Sequence, residues 1–425
     1  MTSVFCNRPF IEVSNQIDRG YTPCCWFETN NIDSSPQDTL PIDMFSSDLY
    51  NEIRKDMLAN EKTEFLQSHC GSCFKREETT GFSPRLLFQD FPHQLREMFE
   101  DDGTYKGGDY RHLNLALNIF GNYCNLECYE CIPKNSSSRT IAVKKLNDKW
   151  SQMNHDDSLK IREESNSDLK RVDPEWFHQI VSNILDHAHV IEELSFCGGE
   201  PALMKSHFEI LDALVLSGHS EHINLDYVSN MTVMNLSVLK KYIDRFKSVS
   251  IQWSVDGLKT ENSWLRYPTD WDQMMINVRE VKKYLQKTGK GRLRATMTPS
   301  LFGILGFSKL CKWLYLGGFI SSLNNLDIVN DVNDTILHHR HLPVEVKEQI
   351  SDEIQKLSPS LYEALWMKRD ENKFQLALQY ATELDETRGT NWKEVFPSLV
   401  PYINCLLYTS PSPRDLSTSR MPSSA

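Results

Sequence analysis

The chain has 425 residues, with 46 Lys and Arg against 58 Asp and Glu, and a formal net charge of −12. That balance repels phosphate backbones and argues against general nucleic-acid binding. No apolar run approaches the roughly 20 residues of a membrane span. The start, MTSVFCNRPF, lacks the basic-then-apolar pattern of a signal peptide, so the eleven cysteines point to a reducing cytoplasm and metal ligation rather than disulfides.

Residues 405–425, CLLYTSPSPRDLSTSRMPSSA, read as a translated sequencing adapter and are set aside from fold reasoning. The rival is a genuine disordered Ser/Pro tail. Removing Arg414, Arg420 and Asp415 moves the net charge from −12 to −13, and the native chain is expected to continue past residue 404.

Residues 1–105 hold Cys6, Cys24, Cys25, Cys70 and Cys73. Phe10 to Val13 reads as a short strand, Asp18-Arg19-Gly20 as a turn, and Leu49 to Leu58 as a helix. Two separated positions plus the C-x2-C at Cys70 and Cys73 make a four-thiolate site with one of Cys24 and Cys25 to spare. Such a site takes an iron–sulfur cluster or, alternatively, a structural zinc, and buried unligated thiols are the plain alternative. Ser83-Pro84-Arg85 closes a polar connector with no role assigned from sequence.

From 106 to 345 strand-like and helix-like stretches alternate, which predicts βα units and a parallel sheet. Leu113 to Phe120 is a first, buried strand, and the loop after it carries Cys124, Cys128 and Cys131. Three thiolates at C-x3-C-x2-C bind three irons of a cubane and leave the fourth open to a small molecule. Ile141 to Met153 is expected to be helical and His155 to Lys170 a solvated insertion; Asp173-Pro174 starts the next helix. A second strand, Ile191 to Phe196, ends in Cys197-Gly198-Gly199-Glu200-Pro201. Cys197 is expected to be a packed thiol near the site. Two glycines let a backbone approach a ligand closely, and Glu200 is an acceptor suited to an ammonium.

The remaining strands are Asn224 to Ser229, followed by Asn230; Val249 to Val255, closing on Ser254-Val255-Asp256-Gly257; Arg292 to Met297, carrying Arg294, which is placed to pair with a carboxylate; and Asn325 to Val329. All these residues fall at carboxyl ends of strands, except Arg294, or on the loops beyond them, where α/β barrels build their sites. Pro343 to Leu384 is helical, His338, His339 and His341 are expected to be exposed or capping, and Trp392, Phe396 and Leu399 are placed to cap the barrel.

The cysteine loop, opening CNL after a first strand, together with GGEP at the end of the next strand, resembles the radical S-adenosylmethionine (SAM) enzymes. The resemblance implies a partial (β/α)6 TIM-like barrel over 106–345, a cysteine-rich module over 1–105 and a helical segment over 346–404. It implies that Cys124, Cys128 and Cys131 hold a [4Fe-4S] cluster whose open iron chelates SAM, and that Gly198, Gly199, Glu200 and Pro201 contact the SAM amino group. Asn230, Ser254 and Asp256 correspond to further SAM contacts, with Arg294 a candidate beside them. Glu130 stands where the family has an aromatic residue against the adenine, with Tyr129 one place earlier. The N-terminal cysteines are similar to the twitch and SPASM auxiliary-cluster modules of peptide maturases, though those follow the barrel. The implied function is reductive cleavage of SAM and hydrogen abstraction from a peptide or protein, with a reductant such as flavodoxin or ferredoxin. The alternatives are a small-molecule substrate, or a non-catalytic iron–sulfur or zinc-binding interaction module.

Overall fold

The computed structural model describes residues 4–16, 20–29, 39–118, 121–146, 174–328 and 336–403. The expected surface insertion, the Asp173 cap, the Asp18-Arg19 turn and the adapter-like tail lie outside them. Eight strands form one sheet: β1 (Glu12–Gln16), β2 (Gly20–Thr22), β3 (Leu113–Leu117), β4 (Ile191–Phe196), β5 (Asn224–Ser229), β6 (Ser248–Ser254), β7 (Gly291–Met297) and β8 (Asp327–Ile328). Their order is β2-β1-β3-β4-β5-β6-β7-β8, with β3 to β8 parallel and in sequence order. The chain is therefore a mixed α/β fold.

Within the strands, buried apolar residues alternate with half-buried ones. Leu113, Leu115 and Leu117 are buried while Asn114 and Ala116 between them are half-buried, and β5 and β6 repeat the pattern with Leu225, Tyr227, Val249, Ile251 and Trp253. One face thus packs against helices such as Pro174–Asp186, which buries Phe177, Ile180 and Ile184. The other face is polar. There Gln252 Nε2 donates to Asp226 Oδ2 at 2.8 Å, and Arg294 pairs with Asp226 at 3.5 Å and Asp327 at 3.7 Å.

Several expectations change. The stretch expected to be a strand from Phe10 is helical over Arg8–Ile11, because Pro9 presets the first turn; only from Glu12 is the chain extended. β1 then pairs in parallel with β3, Glu12 opposite Asn114, so the cysteine-bearing segment extends the same sheet. The histidines are not exposed: His339 and His341 are buried, and His338 caps the turn by accepting from the Arg340 amide at 3.0 Å. His339 Nδ1 meets the Pro299 carbonyl at 2.7 Å and His341 Nδ1 accepts from the Asp370 amide at 3.1 Å, stapling the loop after β7 to the C-terminal helices.

Those helices close over the carboxyl end of the sheet through aromatic packing. Phe302 lies 5.3 Å from Tyr129, 5.0 Å from Trp264, 5.5 Å from Trp392 and 5.1 Å from Phe396. Asp385 on the helix Glu371–Arg388 accepts from Trp264 Nε1 at 2.8 Å and from the Trp392 amide. Of the residues expected to form a cap, Trp392 and Phe396 pack on Phe302 and Leu399 is buried, as is Tyr129 of the cysteine loop. No described helix is long and apolar enough to cross a membrane.

Candidate metal and cofactor site

Cys124, Cys128 and Cys131 sit on the loop between β3 and the helix Ser137–Lys144. Backbone bonds clamp that loop: Glu127 N donates to Tyr267 O at 2.7 Å and Tyr129 N to Leu265 O at 2.6 Å. Arg139 reaches back to the carbonyls of Cys131 and Tyr129 at 3.1 and 3.0 Å. Ser136 both caps the following helix and donates to Leu126 O at 2.7 Å. The three thiols are free and pack as one small cluster with Leu126.

Burial raises all three thiols, Cys131 to about 12, and Arg266 opposes that rise at each of them. Donors already point at the sulfurs: the Leu126 amide lies 3.5 Å and Asn230 Nδ2 3.9 Å from Cys124 Sγ, and Arg266 Nη1 lies 3.9 Å from Cys128 Sγ. Converging thiols that are costly to ionise alone, with N–H donors aimed at them, suit a group that binds thiolates. Among the described residues no three His, Cys, Asp or Glu side chains close around one point as the ligands of a single metal ion would. A cubane spreads its thiolates over separate irons, so that geometry is not what it requires.

The Gly198-Gly199-Glu200-Pro201 turn packs directly on this loop. Glu200 N donates to Tyr123 O at 2.8 Å and Gly199 N to Asn135 O at 3.1 Å. Gly198 and Gly199 have φ of +81° and +58°, and a Cβ at each would meet Asn118 Oδ1 at 1.7 Å and Tyr123 O at 2.5 Å. The close approach these glycines permit is to the cysteine loop and the end of β3. Glu200 is 1 % exposed and accepts from Ser229 Oγ at 2.9 Å and the Asn230 amide at 2.8 Å, which locks β4 to β5. Burial lifts its carboxyl to about 7, with the Asn230 amide working the other way.

Asp256 is fully buried, but not as a simple turn residue: Oδ1 accepts from the Thr298 amide at 2.9 Å and Oδ2 pairs with Arg266 Nε at 2.6 Å. Ser254 is buried beside it at the end of β6. Glu130 Oε1 accepts from Ser300 Oγ at 2.7 Å while Oε2 has no partner, and burial with Asp256 raises this carboxyl above the usual range. Asn118 Oδ1 is a second unpartnered acceptor here. Asn230 is thus at the cysteine loop, Asp256 is joined to it through Arg266, Glu130 belongs to it and is held by Ser300, and Arg294 is engaged lower on the polar face with Asp226 and Asp327. Cys197 is half-buried, its thiol raised to about 12 by burial.

In the N-terminal segment Cys6, Cys24, Cys70 and Cys73 line one cavity together with Arg8, His69 and Arg85. Cys25 is exposed and does not line it. The sulfurs come from four places: the chain before β1 (Cys6), the turn after β2 (Cys24), the junction between the helices Glu64–His69 and Gly71–Thr80 (Cys70), and the first turn of the second helix (Cys73). Arg85 is fixed by Glu77, at 3.0 Å from Nε, and donates to Phe5 O at 2.9 Å; Arg8 pairs with Glu12. Arg85 is thus the role of the Ser83-Pro84-Arg85 segment, and Arg266 is the main site residue that sequence reasoning missed. Neither has a local signature.

No protein-family model and no curated protein matches the chain. Among solved structures it is similar to AdoMet-bound anSMEcpe, with TM-score 0.37 and 15 % identity over 58 % of this chain and 59 % of that one. It is also similar to SuiB of Streptococcus suis bound to S-adenosylmethionine, with TM-score 0.33 and 13 % identity over 72 % and 64 %. SuiB bound to its precursor peptide SuiA gives TM-score 0.30 and 13 % identity over 72 % and 63 %. The chain thus matches about three fifths of the length of these structures.

Proposed function

We propose that the protein is a radical SAM enzyme. The observation that carries this reading is the convergence of the Cys124, Cys128 and Cys131 thiols, with donors aimed at two of them, against the Gly198–Pro201 turn at the carboxyl end of β4. The parallel order of β3 to β8 supports a partial (β/α)6 barrel over about 106–345, with the helical segment 346–404 as its cover.

A [4Fe-4S] cluster bound there would supply the electron that cleaves S-adenosylmethionine to methionine and a 5′-deoxyadenosyl radical. Cys124, Cys128 and Cys131 would hold it. Asn230 and Arg266 hold donors on the sulfurs, and Asp256 fixes Arg266. Glu130 Oε2 and Asn118 Oδ1 offer unpartnered acceptors to the amino groups of SAM. Tyr129, Trp264 and Phe302 exclude water from one side of the loop.

The N-terminal cavity is read as a second iron–sulfur site, with zinc as the alternative, and with Cys6, Cys24, Cys70 and Cys73 as its ligands. Four thiolates leave no open iron, so this site would carry electrons rather than bind substrate. A peptide or protein substrate is favoured because such a cysteine module resembles that of peptide maturases. A non-catalytic iron–sulfur or zinc module is the second reading, favoured by Glu130 in place of an aromatic residue.

Anaerobic reconstitution followed by iron and sulfide assay and EPR tests the assignment. The expected result is two clusters per chain, with the signal of one altered by added SAM. A single zinc per site and no SAM-sensitive signal would refute it.

A further inference from the structure

Three guanidinium groups surround the cysteine loop, and two of them have carboxylates. Arg266 Nε pairs with Asp256 Oδ2 at 2.6 Å, and Arg388 Nε pairs with Glu127 Oε2 at 3.4 Å. The third, Arg139, has only uncharged partners. Its Nε donates to the Cys131 carbonyl at 3.1 Å, and its Nη2 to the Tyr129 carbonyl at 3.0 Å and to Tyr380 Oη. Its Nη1 is buried with no partner at all. Glu130, the nearest carboxyl in sequence, is turned instead to Ser300, Asp256 and Arg266. Among the described residues no carboxylate pairs with Arg139. The charge it does meet is of like sign: burial, then Arg139, hold Arg388 below the usual guanidinium range.

The setting makes this costly three times over. Arg139 is fully buried, and a buried cation without a counter-charge is strongly destabilising. It stands in the first turn of the helix Ser137–Lys144, where the peptide dipoles present their positive end. The unpartnered N–H adds the desolvation of a charged donor. What the arrangement lacks is an anion beside Cys131. There the charge is already felt: burial pushes that thiol up to about 12, Cys124 adds to the rise, and Arg139 opposes it ahead of Arg266. Three thiolates on a cubane core are net negative, and more so after reduction.

We propose that Arg139 is a positioning residue that serves as the built-in counter-charge of an anionic cluster on the Cys124, Cys128 and Cys131 loop, a role that rests on the reading of that loop as a cluster site. The guanidinium holds the loop through two of its carbonyls and leaves one N–H and one positive charge for the group bound there. The same side chain should therefore burden the chain without cluster and secure the chain that carries it.

The test separates charge from hydrogen bonding in a Cys70→Ala/Cys73→Ala background, which leaves one cluster to observe. Arg139→Gln keeps N–H donors and loses the charge; Arg139→Lys keeps the charge and loses the planar fork. After anaerobic reconstitution, iron release to a chelator is followed by absorbance, and the midpoint potential by EPR-monitored titration. Arg139→Gln should release iron at least about tenfold faster than the parent and reduce about tenfold less favourably, a shift of about 59 mV to more negative values. Arg139→Lys should stay within about threefold of the parent in both readouts, because the charge is retained. Without cluster the order should reverse, with a urea midpoint for Arg139→Gln equal to or above that of the parent. Arg139→Gln matching the parent in iron release and potential, or Arg139→Lys failing as badly as Arg139→Gln, would overturn the proposal. So would a lower urea midpoint for Arg139→Gln without cluster, which is the result of a purely structural role. A parent that takes up no iron in this background would instead refute the cluster reading itself.

Discussion

Arg266 is the residue whose removal has the most specific consequence. Its Nη1 lies 3.9 Å from Cys128 Sγ and its Nε 2.6 Å from Asp256 Oδ2, which is fully buried. Burial opposes its charge, but Asp256 and Cys128 outweigh that and keep the guanidinium protonated. A hydrogen bond to a charged group is worth about 1.5–3 kcal/mol, and a cluster gains negative charge on reduction, so the bond favours the reduced state. If half of it is differential, removal costs about 0.75–1.5 kcal/mol, a shift of about 30–65 mV for one electron. Arg266→Met should therefore move the midpoint potential of the Cys124/Cys128/Cys131 cluster to more negative values, and Arg266→Lys by less.

The assay is an EPR-monitored redox titration in a Cys70→Ala/Cys73→Ala background, which leaves one cluster to observe. Arg266→Met also strands the Asp256 carboxylate, at a stability cost of about 3–5 kcal/mol. The Arg266→Met/Asp256→Asn pair removes that complication and should show the same shift. A potential unchanged within error, or one shifted to more positive values, would refute the role of the guanidinium at the sulfur.

Three further outcomes follow from the geometry. Cys24→Ala should lower iron by about four per chain while Cys25→Ala leaves it unchanged, measured by iron assay after reconstitution; equal losses would contradict the assignment of Cys24 to the cavity. Gly198→Ala places a Cβ 1.7 Å from Asn118 Oδ1, so it should destabilise the chain in urea unfolding, and Asn118→Ala in the same background should recover most of the loss. The remainder is the left-handed φ, about 1 kcal/mol. Glu200 has its folded pKa raised to about 7, so its stabilisation is complete below the unfolded value and is lost as pH rises through 7. The stability gap between wild type and Glu200→Gln, both without cluster, should change by on the order of 3 kcal/mol between pH 4.5 and 8; a pH-independent gap would contradict it.

The parts of the fold that were legible are those written in local pattern. Short apolar strand-like stretches gave β3 to β7 within a residue or two at most ends, and the cysteine spacing and the Gly-Gly-Glu-Pro turn gave the two loops that the structure brings together. What was not legible depends on contacts between distant stretches. β1 joins β3 across about 100 residues, and no local feature of Glu12–Gln16 announces that register. Cys24 and Cys25 are chemically identical in sequence, and only the turn after β2 decides which thiol enters the cavity. Gly198 and Gly199 were read as making room for a ligand, whereas a Cβ at either would strike Asn118 or Tyr123. Glu200 and Asp256 carry the charges expected at a ligand site, yet both are bonded to protein partners, Ser229 and Asn230 in one case and Arg266 in the other. The buried histidines looked like surface polar residues because their partners, Pro299 and Asp370, lie about 30 to 40 residues away.

The central claim is that the Cys124, Cys128 and Cys131 loop supports reductive cleavage of S-adenosylmethionine. Its most direct test is mass-spectrometric detection of 5′-deoxyadenosine after anaerobic reconstitution with iron and sulfide and addition of SAM and dithionite. The control is the Cys124→Ala/Cys128→Ala/Cys131→Ala variant. The account expects 5′-deoxyadenosine from the wild type and none from the variant. A wild type that binds its irons and reduces with dithionite, yet releases no more 5′-deoxyadenosine than the variant, would contradict it.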